Sequence, residues 1–365
     1  MKASTLIISF LLLVCFQATK AQPLQPGFDP EEYMEMLRIS ALQVDTPWKP
    51  NKVPHPYHHQ MVYRSPVTGL DNRWDMWRRD DGKAAVMSIR GTTKDNTSWL
   101  ENFYCAMIPA SGSIQLPGRR FDYHLSDDPK AAVHIGWTIG LGSLAPTIEE
   151  QFRIQYDQGV RNFIIMGHSQ GGAIAFLLNS YLHDLIKKGK LPNDVIIKTY
   201  CSAGPKPGNL YYAYSYEQMT QGGWAYNVIN PKDWVPETPF SIQTTRDFSD
   251  VNPFNGARSM IRKMPGMQRL VLGYVYGRLD KSTKKASRKF KNTLGNLLSK
   301  QVKKLLPGYI QPGLMNTMDY VRVGNSIILK PDAEYQRLHP DNSANVFMHH
   351  MPGPYYYLAT HMTGQ

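Results

Sequence analysis

Cysteine is scarce in this chain, which has only three in 365 residues. A small exported domain held together by disulfides needs a far higher density, so a disulfide scaffold is excluded. Cys15 lies in an apolar N-terminal stretch, which leaves Cys105 and Cys201 as the candidates for a bridge. Because their distance in space cannot be read from the sequence, their pairing stays open.

Clusters with metal-ligand spacing are also lacking. The histidine pairs at 58–59 and 349–350 are adjacent in the sequence, and adjacent side chains diverge on a strand or a helix. We therefore expect no metal and no cofactor. The sequence does not indicate an oligomeric state.

Apolar runs long enough to cross a bilayer, about 20 residues, are missing as well. Residues 1–21 combine a basic Lys2, an apolar core of about 11 residues and small residues before a cleavage point, which is typical of a signal peptide. We expect an exported protein, secreted or periplasmic, with a mature chain of 22–365. A lipid anchor on Cys15 is the less favoured alternative, because Val14 is bulky for such processing.

Acidic residues are few compared with basic ones, and the excess is local. The chain has 41 Lys and Arg against 29 Asp and Glu, a net charge of +12. Residues 253–310 hold 14 of these cations and a single acid, Asp280, so this segment alone carries +13. The rest of the chain is close to neutral, and we expect a basic, helical insertion at about 253–312.

Strand and helix patterns alternate through the middle of the chain. Strands are predicted at 84–92, 163–166, 194–204 and 224–230, and helices at 29–43, 147–159 and 171–187. Such alternation predicts an α/β fold in which a mostly parallel sheet is covered by helices on both faces. With 42% hydrophobic residues, the chain can bury the large core that this fold needs.

The stretch "FIIMGHSQGGA" (163–173) carries an apolar strand into a helix through a turn that contains Ser169. Gly167 and Gly171 leave room for a strained serine, and the N–H groups of the helix start lie where an oxyanion forms in acyl transfer. Ser169 is therefore a candidate nucleophile. A tight structural turn is the alternative interpretation.

A nucleophilic serine needs a base and an acid that orients the base. Asp233 is the candidate acid because it follows the strand 224–230; a simple turn aspartate is the alternative. His349 and His350 are candidate bases, since they follow the apolar run 346–348, which we interpret as the close of the last strand. His339, next to a proline, and His361, near the chain end, are less favoured.

Six segments occur in an order and spacing that resemble one known family. They are "VMSIRGTTKDNTSWLENF", "VHIGW", "IIMGHSQGGAIAFLL", "GPKPGN", "VINPKDWVPETP" and "YVRVGNSIIL". The chain is similar here to the class 3 lipases, which are α/β-hydrolases. The resemblance implies a serine hydrolase that cleaves acyl esters of the lipase or carboxylesterase type.

The resemblance also implies residue roles. Ser169 corresponds to the nucleophile and Asp233 to the triad acid, while the N–H groups of Thr92 and Gln170 would form the oxyanion hole. The Thr92 hydroxyl is expected to donate to the oxyanion as well. Two further histidines are candidates for lining the substrate pocket: His134, with a structural role as the alternative, and His168.

Two departures from the family concern Gln170 and the base. Gln170 stands where leucine is usual, which we expect to alter packing more than mechanism. His350 is preferred to His349 because only one of two adjacent side chains can reach Ser169. Two prolines, at 352 and 354, are expected to interrupt any helix there.

The basic run predicts an amphipathic helix over Lys281–Lys304 with a stripe of apolar positions: Phe290, Leu294, Leu297, Leu298, Val302 and Leu305. One interpretation is a solvated helix packed on the hydrolase core, and another is a helix that binds an anionic membrane surface. A nucleic-acid partner is not expected, since no recognised motif accompanies the charge.

Two alternative functions stay open. One is a phospholipase on the same fold, and the other is a non-catalytic lipid- or membrane-binding protein on a hydrolase scaffold.

The segment 105–130 lies where the family often carries a lid, but its sequence does not predict an amphipathic helix.

Overall fold

The computed structural model describes residues 24–43 and 53–362. The predicted signal peptide, residues 1–21, lies outside the described residues.

A seven-stranded sheet forms the centre of the protein. Its strands are β1 (His59–Arg64), β2 (Trp74–Arg79), β3 (Ala84–Ile89), β8 (Asn162–His168), β9 (Ile196–Ser202), β11 (Ala225–Ile229) and β13 (Asn325–Ile328), in that spatial order. The first three are antiparallel to one another, and the strands from β3 to β13 are parallel. The predicted mostly parallel sheet is therefore confirmed.

Smaller strands and the helices complete the fold. The other strands are β4 (Met107–Pro109), β5 (Ser111–Leu116), β6 (Arg119–His124), β7 (Ala132–His134), β10 (Gly208–Asn209) and β12 (Tyr320–Val321). The helices are α1 (Pro30–Ala41), α2 (Asn96–Phe103), α3 (Ile135–Asp157), α4 (Gln170–Lys187), α5 (Leu210–Met219), α6 (Ala257–Arg262), α7 (Gly266–Lys291), α8 (Leu298–Leu305), α9 (Ala333–Leu338) and α10 (Pro352–Thr360). A 3₁₀ turn spans Val235–Glu237 and a π-helical turn Asn292–Leu297.

Both faces of the sheet are buried, which explains why β8 is apolar throughout. Phe163 and Ile165 point into the larger core, with α3 and α4, while Ile164 and Met166 point into a second core formed with α1 and α10. Because successive side chains of a strand point to opposite faces, an uninterrupted apolar run is required where both faces are covered. The prediction of helices on both faces is confirmed.

Helix α3 begins 12 residues before the predicted start at 147. Its first part, from Ile135 to Ala145, is buried almost all round, so it lacks the alternation of polar and apolar faces by which a helix is recognised. Small residues allow this burial: at Gly136 an added Cβ would lie 2.1 Å from the carbonyl oxygen of Glu101.

The end of the chain differs from its prediction in two respects. Residues 346–348 form turns and not a strand; the last strand is β13, some twenty positions earlier. The prolines at 352 and 354 do not interrupt a helix, because both lie in the first turn of α10. In the first turn a proline removes no intrahelical hydrogen bond, and its fixed φ suits the helix.

The segment 105–130 is mainly β-structure. Strands β5 and β6 form an antiparallel hairpin, and its side chains Ile114, Leu116 and Phe121 are buried in the larger core. The segment is thus anchored to the body of the protein.

Cys105 and Cys201 are both buried and unpaired, so they do not form the disulfide bond that the sequence left open.

The basic segment is helical, as expected. It consists of α6, α7, the π-helical turn and α8, all before β13. Most of the predicted apolar stripe faces the body: Phe290, Leu294, Leu298 and Val302 pack on it. Leu297 and Leu305 are exposed. Among the described helices, none combines the length and apolar composition needed to cross a membrane.

Candidate active site

Ser169 lies at the turn between β8 and α4, in a conformation that few non-glycine residues adopt. Its φ is 62° and its ψ −130°, which costs about 1–3 kcal/mol of backbone strain. The flanking glycines make the turn possible. A Cβ at Gly167 would lie 2.1 Å from the carbonyl oxygen of Gly171, and one at Gly171 would lie 2.3 Å from that of Ile89.

Ser169, His350 and Asp233 form a continuous hydrogen-bonded chain. The Ser169 Oγ lies 2.8 Å from His350 Nε2, and His350 Nδ1 lies 2.7 Å from Asp233 Oδ2. Because a carboxylate only accepts, Nδ1 carries the proton and Nε2 is free to accept one from the serine. The structure thus brings together the three residues that the sequence analysis selected.

Asp233 is held in its charged form at a buried position. Burial by itself would raise its pKa, but the charge and hydrogen bond of His350, the Val235 N–H and the Tyr355 hydroxyl outweigh it and lower the pKa. The Val235 N–H lies 3.0 Å from Oδ1 and the Tyr355 hydroxyl 2.8 Å from Oδ2. Tyr355 reaches this position because α10 does form across the prolines.

His349 points away from the serine. Its Nδ1 lies 2.8 Å from the Tyr335 hydroxyl, and its Nε2 lies 2.9 Å from Asp341 Oδ1. Its carbonyl oxygen accepts a hydrogen bond from the Asn230 side chain at 3.0 Å. His349 therefore fixes the loop that carries its neighbour and does not contact Ser169.

His168 lines the cavity and connects three segments. Burial lowers its pKa to about 3, so the ring is neutral at ordinary pH. Its Nε2 faces the carbonyl oxygen of His350 at 2.7 Å and must donate, which leaves Nδ1 to accept from the Ser202 hydroxyl at 3.0 Å. The Tyr33 hydroxyl, 2.7 Å from the Ser202 Oγ, then donates to it.

Thr92 and Gln170 both line the cavity beside Ser169. Gln170 is the first residue of α4, where backbone N–H groups lack intrahelical partners. The Thr92 hydroxyl was predicted to donate to the oxyanion, but it donates to Gln170 Oε1 at 2.8 Å. Its oxygen accepts from Asn102 Nδ2 at the same distance. Its one proton is thus used within the protein, and the Gln170 side chain holds Thr92 in position.

His134 does not line the cavity; of the two interpretations, the structural one describes its place. The side chain is fully buried, and its ring stacks on Trp137 with centroids 3.6 Å apart. Its Nδ1 caps α3 by accepting from the Trp137 N–H at 3.2 Å, and its Nε2 lies 3.1 Å from the carbonyl oxygen of Asn102. Burial lowers its pKa to about 3.

Asn102, which the sequence analysis did not single out, connects Trp137 at the start of α3 to Thr92 of the candidate oxyanion hole. It donates to Thr92, and its Oδ1 accepts from Trp137 Nε1 at 2.9 Å. Its position in the quoted segment "NTSWLENF" gave no signal, because one asparagine on an ordinary helix has no distinctive spacing.

A cavity of about 910 Å³ opens directly over Ser169 and His350. Its wall is largely aromatic and apolar: Trp99, Phe103, Trp234, Phe240, Phe290, Leu294 and Phe347. Phe347 contacts two of these rings, with its ring centroid 6.0 Å from that of Trp99 and 5.5 Å from that of Trp234. Within residues 24–43 and 53–362, no group of three His, Cys, Asp or Glu side chains is suited to holding a metal ion.

The middle of the chain matches a known protein family. Residues 86–243 match the model of the family described as lipase (class 3). This part of the chain is similar to the class 3 lipases. The matched segment includes most of β3, Thr92 in the loop after it, the turn with Ser169 and the loop with Asp233; His350 lies beyond it. Since lipases cleave ester bonds, the class 3 lipases are carboxylic ester hydrolases.

Several solved lipase structures are similar to this chain at low identity. The native Rhizomucor miehei lipase propeptide complex is 18% identical, with a TM-score of 0.41 over 59% of this chain and 65% of that one. Lipase II from Rhizopus niveus is 19% identical, with a TM-score of 0.40 over 57% of this chain and 74% of that one. Lip2 lipase from Yarrowia lipolytica is 16% identical, with a TM-score of 0.43 over 60% of this chain and 78% of that one. The match thus spans less than two thirds of the Rhizomucor chain. No curated protein matches the chain significantly.

Proposed function

We propose that this protein is a serine esterase that hydrolyses acyl esters of lipids. The observation that carries the proposal is the hydrogen-bonded chain from Ser169 through His350 to Asp233, at the floor of an apolar cavity. A non-catalytic binding protein has no need for this arrangement, nor for the strained serine at its end.

The proposed reaction proceeds through an acyl-enzyme. Ser169 Oγ attacks the ester carbonyl carbon while His350 Nε2 takes the hydroxyl proton, and the N–H groups of Thr92 and Gln170 stabilise the oxyanion. The C–O bond to the alcohol breaks, and His350 returns the proton to the leaving oxygen. Water then attacks the acyl carbon by the same route and releases the acid. Asp233 keeps the His350 ring in the tautomer that both steps require.

The cavity supports a substrate with an extended hydrocarbon part. Aromatic side chains at its mouth, including Phe103 and Phe240, are exposed to solvent. Burying them against an acyl chain contributes about 25 cal/mol per Å² of apolar surface removed from water. We therefore expect kcat/KM to rise with acyl length, which distinguishes this enzyme from one restricted to acetyl esters.

The test uses p-nitrophenyl esters from acetate to palmitate, together with a fluorophosphonate probe that labels reactive serines. The wild-type protein should hydrolyse the esters and be labelled, while Ser169→Ala should lose both with its circular dichroism spectrum unchanged. Ser180→Ala removes another buried serine, one that hydrogen-bonds to Tyr212 and not to the site, and is the matched control. Equal hydrolysis by Ser169→Ala and wild type would disprove the proposal.

A further inference from the structure

The outward side of α7 exposes apolar residues where a soluble protein normally has polar ones. Its first three turns present Met267, Leu270 and Tyr274, which are 73%, 65% and 67% exposed, together with Val271 and Val275. At 3.6 residues per turn these five positions share one broad face of the helix. A contiguous apolar surface of this kind is unusual in a monomer and marks an interaction site.

The opposite side of α7 fixes the helix to the protein. Asp280 is only 3% exposed, and it accepts hydrogen bonds from Thr245 and Arg258 at 2.9 Å. Gly273 faces α6, where an added Cβ would be in ordinary contact with the Cγ2 of Ile261, at 3.6 Å. The apolar face is therefore directed away from the body and is held there by buried contacts.

The same outward face becomes cationic towards the end of α7. We call the apolar residues just named and the cations that follow them the α7 outer face. The cations are all exposed: Arg278, Lys281, Lys285, Arg288 and Lys289. An apolar surface continued by lysine and arginine matches the acyl boundary and the phosphate groups of an anionic lipid surface.

We propose that the α7 outer face docks the protein on an anionic lipid bilayer, with the first three turns in the headgroup region and the cations over the lipid phosphates. The sequence placed the membrane contact at Lys281–Lys304, but much of the apolar stripe in that range faces the body, and the free apolar surface begins earlier, at Met267.

Docking at this face brings the candidate active site near the lipid. Phe290, at the end of α7, lines the cavity, and its ring centroid lies 6.0 Å from Phe240 at the cavity mouth. The helix of 26 residues thus connects the docking face to the entrance for substrate. The role of docking in bringing substrate to the cavity rests on the proposed function, whereas vesicle binding is measured without any reaction.

The first test is sedimentation of the purified protein with vesicles of phosphatidylcholine and phosphatidylglycerol. Leu270→Gln with Val271→Gln should lower the partition constant about tenfold, since two apolar side chains no longer enter the interface. Met61→Gln with Val62→Gln, an exposed apolar pair on β1, is the matched control and should bind like wild type.

The second test distinguishes the contribution of the α7 cations to binding from the effect of the protein's net charge. Arg278→Gln, Lys281→Gln and Lys285→Gln together should weaken binding about a hundredfold, since each cation beside an anionic surface contributes about fivefold. The control removes three exposed cations from α8, namely Lys300, Lys303 and Lys304, and should retain most of the binding. High salt should weaken binding by the wild type more than binding by the α7 triple variant, which keeps only Arg288 and Lys289 of the five cations.

Three outcomes would overturn the proposal. They are failure of the wild type to bind anionic vesicles, equal loss in the α7 and α8 variants, and a wild-type dimer without vesicle binding that Leu270→Gln with Val271→Gln converts to a monomer. The last would assign the face to a second copy of the chain. Ser169→Ala should bind vesicles like wild type, so docking and catalysis fail or succeed separately.

Discussion

His168 Nε2 donates a hydrogen bond of 2.7 Å to the main-chain carbonyl oxygen of His350. The residue before the candidate nucleophile thereby holds the backbone of the candidate base, across 182 positions of sequence. The position of the imidazole relative to Ser169 therefore depends on a neutral histidine, which burial maintains by lowering its pKa to about 3.

Replacing His168 tests this positioning role. His168→Phe leaves the His350 carbonyl without its donor, and we expect kcat to fall about ten- to hundredfold with KM little changed, because the base moves relative to the serine. His168→Gln, whose amide can still donate, should recover much of the loss. A rise in KM alone, with kcat preserved in His168→Phe, would show that His168 acts only in the cavity wall.

Asp233→Asn is expected to reduce kcat by about 10⁴-fold, because an amide can stabilise the wrong tautomer of His350 and provides no charge for the imidazolium. Asp247→Asn is the matched control. Asp247 is a buried aspartate that accepts from the Thr244 N–H and hydroxyl within its own turn. Steady-state kinetics with a p-nitrophenyl ester measures kcat of the two variants. A comparable loss of kcat in both would argue against a specific role for Asp233.

The hydrogen bond between Thr92 and Gln170 predicts coupled effects. Thr92→Val and Gln170→Leu each remove it, and each should lower kcat/KM about tenfold by loosening a residue of the candidate oxyanion hole. The double variant should be little worse than either single one, since both remove the same contact. Thr92→Ser keeps the hydroxyl and should stay near wild type; additive losses in the double variant would contradict the coupling.

Two buried histidines predict acid sensitivity. The pKa of His134 and that of His168 are each about 3 in the folded protein and about 6.5 when unfolded. Below pH 6.5 the unfolded state binds more protons, so stability is lost as pH falls, by up to about 1.4 kcal/mol per pH unit for each histidine. The lowered pKa of Asp233 acts in the same direction only at lower pH, as the pH falls through its folded value.

Urea unfolding at pH 7.5 and 5.5 measures this dependence. We expect a loss of about 3 kcal/mol for wild type and about half as much for His134→Gln, which lacks one of the two groups. The comparison concerns the difference between the two pH values, so an overall destabilisation of the variant does not affect it. An unchanged difference in His134→Gln would show that His134 is not protonated on unfolding in this range.

Much of the fold followed from local pattern. The uninterrupted apolar run of β8 predicted a strand covered on both faces, and the glycines at 167 and 171 predicted the close approach that the turn at Ser169 requires. These features are readable because they depend on neighbours in the chain. The first part of α3 was missed for the converse reason: it is buried all round, and its boundary is set by packing on Glu101.

Local sequence patterns were enough to predict a serine at the end of a buried strand, and they favoured two adjacent histidines as candidates for the base. The packing of the folded chain distinguishes their side chains: His350 points to Ser169, and His349 is held by Tyr335 and Asp341. It also decided which side of the basic segment is free, because the direction of each helical face depends on what the helix packs against. Long-range contacts, which a linear pattern does not encode, made both choices.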